Sequence, residues 1–498
     1  VCHYIIYIEK PEDASEIYRW NRCEASASIR HMIDHSVYQS PFSWRYGSVA
    51  MRSAWSDLTK RRLWRSIWVS LARVEHEFGL VTSAQVDELS AHADDVDIER
   101  SLAIEAEIRH DLMAEVKAFA EQCPEAGGII HLGATSMDIE DNADALRLRR
   151  GLDLLIEALD GLLGAFADRM EAYVDLPVMA FTHIQPAEPT TLGYRLGIWA
   201  QDLLDDRQRM VHERDAIRGK GFKGAVGTAA SYAELVGPDR VQHFEQRLSE
   251  ELGLAFYPLA TQTCTRKQDY AVVSTLAGLG ASLHKFALDM RILQSPPIGE
   301  LSEPFGSKQV GSSAMPFKRN PINAEKIDSL ARSLSVLPQV AWQNAAQNIL
   351  ERTLDDSANR RSMLPEAFLI CDELLATAQK IVSGLVVNRP AIDRTMATYG
   401  PFAATERVLM AMGKAGADRQ QTHERLREHA LAAWEAVRTA TAGATNPLAQ
   451  RLSADSFFAD TLGRDALGAL MDWSGYTGTA AARARDMARL IRSVVTTA

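Results

Sequence analysis

Hydrophobic positions recur at helical rather than strand spacing along most of the chain. Between residues 143 and 173, Leu146, Leu148, Leu152, Leu155, Ile156, Leu159, Leu162, Leu163, Phe166 and Met170 repeat at helical intervals and predict one long helix. Thr190 or Thr191 is placed to cap a second helix running to about Ile217, with Leu192, Leu196, Trp199, Leu203 and Leu204 turned inward. A third runs from about Gln268 to Gln294, where Ser295-Pro296-Pro297 stops it. A fourth begins near Pro321, a favoured first-turn residue, and reaches about Asn348, with a bend expected at Pro338. A fifth spans about Asn359 to Ser383. Strand signals are sparse. Five long amphipathic helices in one stretch predict an all-α protein built on a helical bundle.

The bundle falls within residues 136–387. A smaller helical region, 37–135, precedes it, and Asn388-Arg389-Pro390 marks the break to a third helical region, 388–498. Three helical domains are therefore expected. Residues 1–36 show no clear period and read as an extension or a disordered N-terminus. Met32 reads as a natural start, so residues 1–31 are expected to be an upstream extension.

Composition narrows the function classes. The chain has 498 residues, 46% of them hydrophobic and 24% charged, as in a soluble globular protein with a large core. No uninterrupted apolar run is long enough to cross a bilayer. Cys2, Cys23, Cys123, Cys264 and Cys371 are scattered, without CxxC spacing, which points to free thiols in a reducing, cytoplasmic setting. The net charge of -11 disfavours a nucleic-acid or membrane-surface partner. It also means that an anionic substrate needs cations gathered locally. HxxxH, HExxH, Walker A and GxSxG patterns are missing, and the glycine-rich Gly219–Gly227 follows a helix and lacks a GK[ST] ending. Neither metal nor cofactor is expected.

Several blocks carry candidate chemistry. Gly311-Ser312-Ser313-Ala314-Met315-Pro316-Phe317-Lys318-Arg319-Asn320-Pro321 joins a mobile glycine, two hydroxyls, cations and an amide ahead of a helix, a device suited to a growing negative charge. His183, before Ile184-Gln185-Pro186, sits in a loop ahead of a long helix; it is either a proton donor on a stiff mount or a plain loop histidine. Arg109-His110-Asp111 could bind phosphate or form a solvated charge cluster, and on a helix the two adjacent side chains His110 and Asp111 would diverge, so their pairing would have to be tertiary. Gly133-Ala134-Thr135-Ser136 offers donors to an oxyanion, while the preceding His131 reads as structural. Glu351-Arg352 through Ser357 to Arg360-Arg361 gathers arginine forks, and Arg45-Tyr46 sets a cation beside an aromatic ring. Each of these last two could equally be a surface salt-bridge cluster.

Taken in order, these blocks resemble the adenylosuccinate lyases of the fumarase/aspartase superfamily, from about Ser40 to near the C-terminus. The Ser312 loop is common to that superfamily; the RHD block at 109–111 and the ERTLDDSANRR block at 351–361 favour adenylosuccinate lyases over argininosuccinate lyases. A non-catalytic protein reusing the fold is the rival from another class, and its mark would be a lost Ser312 or His183. The resemblance implies a homotetramer with a pooled helical core and active sites shared between subunits. It implies release of fumarate from adenylosuccinate and from the succinylated imidazole-carboxamide ribotide, in purine nucleotide biosynthesis.

By the same resemblance Ser312 is the general base and His183 the general acid. Arg45, Tyr46, Arg109, His110, Asp111, Thr135, Ser136, Gln262, Lys318, Asn320, Lys326, Arg352, Ser357 and Arg361 match substrate-binding positions, with Glu325 in support. Two departures stand out. Lys326 replaces a frequent arginine, keeping the charge but losing the fork. The run Ser136-Met137-Asp138-Ile139-Glu140-Asp141-Asn142 is unusually acidic, and the sequence offers no reason for it.

Overall fold

A computed structural model describes residues 36–439 and 445–496. The expected N-terminal extension, Ser36 apart, lies outside the described residues. Helices dominate. The elements that build the site are α1 (Asp57–Glu77), α2 (Ile98–Ile108), α3 (Asp111–Gln122), α4 (Ser136–Ala172), a hairpin of β1 (Pro177–Thr182) and β2 (Gln185–Thr191), α5 (Leu192–Ala216), α6 (Lys267–Gln294), α7 (Ile322–Ala346), α8 (Ser357–Ser383), α9 (Arg389–Lys414) and α10 (Ala480–Thr496).

Five of these are the helices that the apolar spacing predicts. Thr191 does cap α5, accepting from Tyr194 N at 3.2 Å. Helix α4 starts earlier than its apolar run, at Ser136. The cause is local: the Asp138 carboxylate accepts from Thr135 N at 3.0 Å, holding the entry to the first turn. Helix α7 runs through Pro338 to Ala346.

The main core lies between α4, α5, α6, α7 and α8, with α10 packed along α4 and α5. Leu152, Leu155, Leu159, Leu162, Phe166, Val272, Leu276, Leu283, Leu334, Phe368 and Leu374 are fully or almost fully buried there. Each such side chain contributes about 1.5–3 kcal/mol of burial. A Cβ on Gly151 would come within 2.6 Å of the Phe368 ring, so glycine is what lets α4 and α8 approach. A second core groups Trp64, Trp68, Leu112, Phe119, Phe222, Tyr232 and Phe244, and a third groups Ala404, Val408, Leu426, Phe458 and Leu467. Helix α6 has the length and composition to cross a membrane, but here it is a bundle helix between α5, α7 and α8. Ile198, Leu288, Val336 and Trp342, on α5, α6 and α7, stay 42–61% exposed.

One expectation needs correcting. The segment before α5 is an antiparallel hairpin rather than a loop, with Thr182 opposite Gln185 and Pro177 opposite Thr191. Pro186 and Pro189 sit in β2, which is tolerated because a strand of a two-stranded ribbon has a free edge.

Candidate active site

The sequence blocks fall into three groups in one chain. The first gathers where α3, α4 and α8 begin. Arg109 closes α2 in the left-handed region, at φ 57, which turns the chain so that His110 caps α3 in an extended conformation. His110 and Asp111 are therefore not on a common helix. Their side chains meet locally, His110 Nδ1 lying 3.9 Å from Asp111 Oδ1, and the expectation of a purely tertiary pairing is corrected. The other His110 nitrogen, Nε2, lies 3.5 Å from Ser136 Oγ. Asp111 accepts from Arg361 at 2.9 Å. Gln262 N donates to the carbonyl of Glu351, which draws the Gln262 turn beside Arg352. Arg352 is itself held by Asp356, at 3.2 Å.

These contacts frame a cavity of about 330 Å³. Asp111, Arg352, Ser357 and Arg361 line it, together with Arg360 of the same arginine block, Glu140 of the acidic run, and Trp55, Lys60, Trp64, Asp144, Arg147 and Arg266, which the sequence motifs did not single out. Its charges are dense and mostly paired. Burial would raise the Asp144 carboxyl, but Arg360 and Arg147 beside it hold it below the usual carboxylate range. Arg266 bridges Asp141 and Asp356 at 2.8 and 2.5 Å.

The acidic run at 136–142 now has a physical account. Asp138 is fully buried and binds the Lys220 ammonium and the backbone N–H groups of Lys223 and Gly224, so it ties α4 to the glycine-rich 219–227 loop. Asp141 accepts from Cys264 N and Arg266. The Asn142 amide brackets Gly221 through both its N–H and its C=O. Only Glu140 points elsewhere, into the cavity. His131 is structural, as expected: it accepts from Trp68 Nε1 at 3.1 Å, and burial lowers its imidazole.

The second group surrounds the start of α7. Glu303 is buried and accepts from the N–H groups of Asn323 and Ala324, capping α7 and anchoring the loop that precedes it. Asn320 Nδ2 donates to the Gly311 carbonyl at 3.0 Å, closing the loop on itself. A Cβ on Gly311 would sit 2.0 Å from the Lys318 carbonyl oxygen, so only glycine fits. Ser312 Oγ receives Met315 N at 3.1 Å and Ala314 N at 3.4 Å. Lys318 and Phe317 are exposed nearby. Glu325 lies in the first turn of α7, 3.9 Å from Arg291, and Lys326 pairs with Glu373 of α8 at 2.5 Å. The same Glu373 accepts from Gly47 N at 3.1 Å, which fixes the Arg45-Tyr46 segment here. Glu373 is twelve residues beyond Arg361 on α8, about 18 Å at the helical rise. Arg45 and Lys326 thus stand apart from the Arg352–Arg361 group within one chain.

The third group is the hairpin tip. His183 and Ile184 form its two-residue turn with φ of 55° and 60°, the signature of a type I′ turn that usually takes Asn-Gly. A histidine and a β-branched residue in that conformation store backbone strain. His183 is exposed there and lines no part of the cavity.

Comparison with known proteins fits this arrangement. Residues 51–334 match the family described as Lyase, and residues 401–486 match the adenylosuccinate lyase C-terminus. The chain is 42% identical to the adenylosuccinate lyase of Saccharomyces cerevisiae over 86% of its own length and 89% of that protein. It is 39% identical to that of Schizosaccharomyces pombe, over 90% and 93%. The chain belongs to the adenylosuccinate lyase family. The 3-carboxy-cis,cis-muconate lactonizing enzyme of Pseudomonas putida shares its fold, with a TM-score of 0.79 and 25% identity over 91% of this chain and 100% of that one. The family resemblance read from the ordered motifs is borne out. The placement of Glu140 beside the acidic neighbours Asp111 and Asp144 is what sequence reasoning missed, the only signal being the unexplained acidic run.

Proposed function

We propose that this chain is a carbon–nitrogen lyase that releases fumarate from adenylosuccinate, leaving AMP, and from the succinylated imidazole-carboxamide ribotide, leaving the corresponding amine. The observation that carries this reading is the cavity shared by Asp111, Arg352, Ser357 and Arg361 in a chain matching adenylosuccinate lyases over most of its length. A nucleotide phosphate and two carboxylates need guanidinium forks and hydroxyl donors, and we assign Arg109, His110, Thr135, Ser136 and Gln262, next to lining residues or bonded beside them, to further substrate contacts. No metal or cofactor takes part in this reading.

The reaction removes a weakly acidic proton next to a carboxylate and breaks the C–N bond on the neighbouring carbon. We assign Ser312 as the base. Two backbone N–H groups on its Oγ support that role, because donors to the oxygen stabilise an alkoxide. Lys318 adds positive charge to the same loop. Asn320 and Glu325 support the loop, and Arg45, Tyr46 and Lys326 contribute contacts to substrate from the α7 side. His183 is assigned as the acid that protonates the departing nitrogen, from a hairpin tip strained into place. Such acid–base help contributes about 10²–10⁴-fold, and electrostatic stabilisation of the carboxylate supplies much of the remainder.

The three groups act together if copies of the chain complete one another's sites. We therefore propose a homotetramer whose core pools the long helices. The exposed Ile198, Leu288, Val336 and Trp342 on three of the long helices, α5, α6 and α7, support it, since such side chains gain by leaving water on association. Division into domains at 37–135, 136–387 and 388–498 belongs to the same proposal. Cys123, Cys264 and Cys371 are buried and unpaired, in keeping with a reducing cytoplasm. The test is fumarate release from purified protein given adenylosuccinate or argininosuccinate. Release from adenylosuccinate is expected; release from argininosuccinate alone, or from neither, overturns the reading.

A further inference from the structure

Five carboxyl groups line the cavity, and four of them are neutralised by cations. Asp57 pairs with Lys60 at 2.6 Å, Asp111 with Arg361 at 2.9 Å, Asp144 with Arg147 at 3.3 Å and Arg360 at 3.2 Å, and Asp356 with Arg266 at 2.5 Å. Among the described residues, Glu140 is the lining carboxyl with no ion pair and no hydrogen bond. Its position is not accidental. Met137, Glu140, Asp144 and Arg147 recur at three- and four-residue steps on one face of α4, and all four line the cavity. Glu140 lies one turn below Ser136, on the face that meets His110.

We propose that Glu140 is a further nucleotide-binding residue, which acts in its protonated form and donates its carboxyl O–H to an oxygen of the nucleotide's ribose phosphate. This rests on the reading of the cavity as the nucleotide site. A phosphate cannot settle beside an ionised, unpaired carboxylate, yet every lining cation is already engaged with another acid. A neutral carboxyl resolves that conflict and adds a donor to an anionic acceptor. The surroundings favour the neutral form. Burial, followed by the charges of Asp111 on α3 and of Asp141 and Asp144 on its own helix, pushes Glu140 up to about 8, against which Lys60 on α1 is the opposing charge. Arg352, Arg360 and Arg361 face the same cavity from the α8 side. Glu140 is thus mostly protonated near neutrality and ionises as the pH rises through about 8. Bound phosphate raises it further, so binding in that range takes up a proton.

Calorimetric titration of the intact protein with AMP tests this. For the parent, the dissociation constant should rise between about pH 7 and 9, and proton uptake near pH 8 should appear as a dependence of the heat on buffer ionisation enthalpy. In E140Q, which keeps a neutral donor, both the rise and the uptake should vanish. E140A should bind AMP about tenfold or more weakly near neutrality, the scale of a hydrogen bond to a charged group. If E140Q keeps the parent's pH profile and proton uptake, or folded E140A binds AMP as the parent does, the assignment is wrong. Fumarate release by the parent, measured alongside, separates that outcome from a failure of the lyase reading.

Discussion

Asp111 and Arg361 are 250 residues apart in sequence and 2.9 Å apart in space. Their contact joins the start of α3 to the second turn of α8 at the cavity. Arg361 is 66% exposed, so the pair adds at most about 1 kcal/mol to stability. Its value in the proposed site lies in aiming a guanidinium at an anion. Arg361→Ala should therefore lower kcat/KM on adenylosuccinate by about thirtyfold, the size of a lost charge-assisted hydrogen bond, while the midpoint of thermal unfolding barely moves. Steady-state kinetics and thermal unfolding on the same preparation check both halves.

Asp138 and Lys220 present the opposite case, a salt bridge with no exposed surface. Asp138 also holds Thr135 N and Gly224 N, so the pair fixes the first turn of α4 and with it Thr135 and Ser136. Removing the cation leaves a buried carboxylate. Lys220→Met should destabilise the fold by about 3–5 kcal/mol, and urea unfolding should record it as a lower midpoint at unchanged slope.

The helices were legible because their signals are local: apolar spacing, the Thr191 cap and the Ser295-Pro296-Pro297 stop. The hairpin was not. Its strands carry Pro177, Pro186 and Pro189, and its turn lacks the glycine or asparagine that positive φ normally demands. The site was legible as separate motifs, since Ser312, His110 and Arg361 each sit in a distinctive block. Their partition was not, because it depends on which turn of α8 faces α3 and which faces α7. Glu140 was illegible for a related reason. Its environment is set by burial and by Asp111, which only the fold brings near.

Glu75 on α1 is buried, and neither of its carboxylate oxygens has a partner. Burial pushes it from 4.5 up to about 9. A carboxyl raised in the folded state stabilises fully below its unfolded value, and that stability is lost as the pH climbs from about 4.5 through about 9. At pH 7 the cost is about 3 kcal/mol. Glu75→Gln should remove this component: the variant should gain stability over the parent steadily from pH 5 to pH 9. Denaturant unfolding across that range checks it, and parallel curves for the two proteins would contradict it.

Gly311 precedes the proposed base in a turn with no room for a side chain. Ala at this position would place its Cβ 2.0 Å from the Lys318 carbonyl, so the loop must open and the N–H groups of Ala314 and Met315 lose their aim at Ser312. The loop packs little against the bundle, and Phe317 is 82% exposed. Gly311→Ala should therefore depress kcat by about a hundredfold with little change in thermal stability, since losing one oriented donor of this kind costs on that order. A fall in kcat accompanied by a drop of several degrees in the unfolding midpoint would mean that the loop is structural rather than catalytic.

The assignment of His183 and Ser312 as acid and base makes the strongest demand. The first caps a strained hairpin that leans on α9; the second lies in the loop ahead of α7. If a working site takes its acid from one subunit and its base from another, each single variant is inactive for a different reason. His183→Ala chains keep a good Ser312, and Ser312→Ala chains keep a good His183. Equal amounts dissociated together and reassembled at random should recover about a quarter of the parent's fumarate-releasing activity, because a quarter of mixed sites draw both groups from intact chains. If both groups came from one chain, no site in the mixture could hold the two, and reassembly would restore nothing.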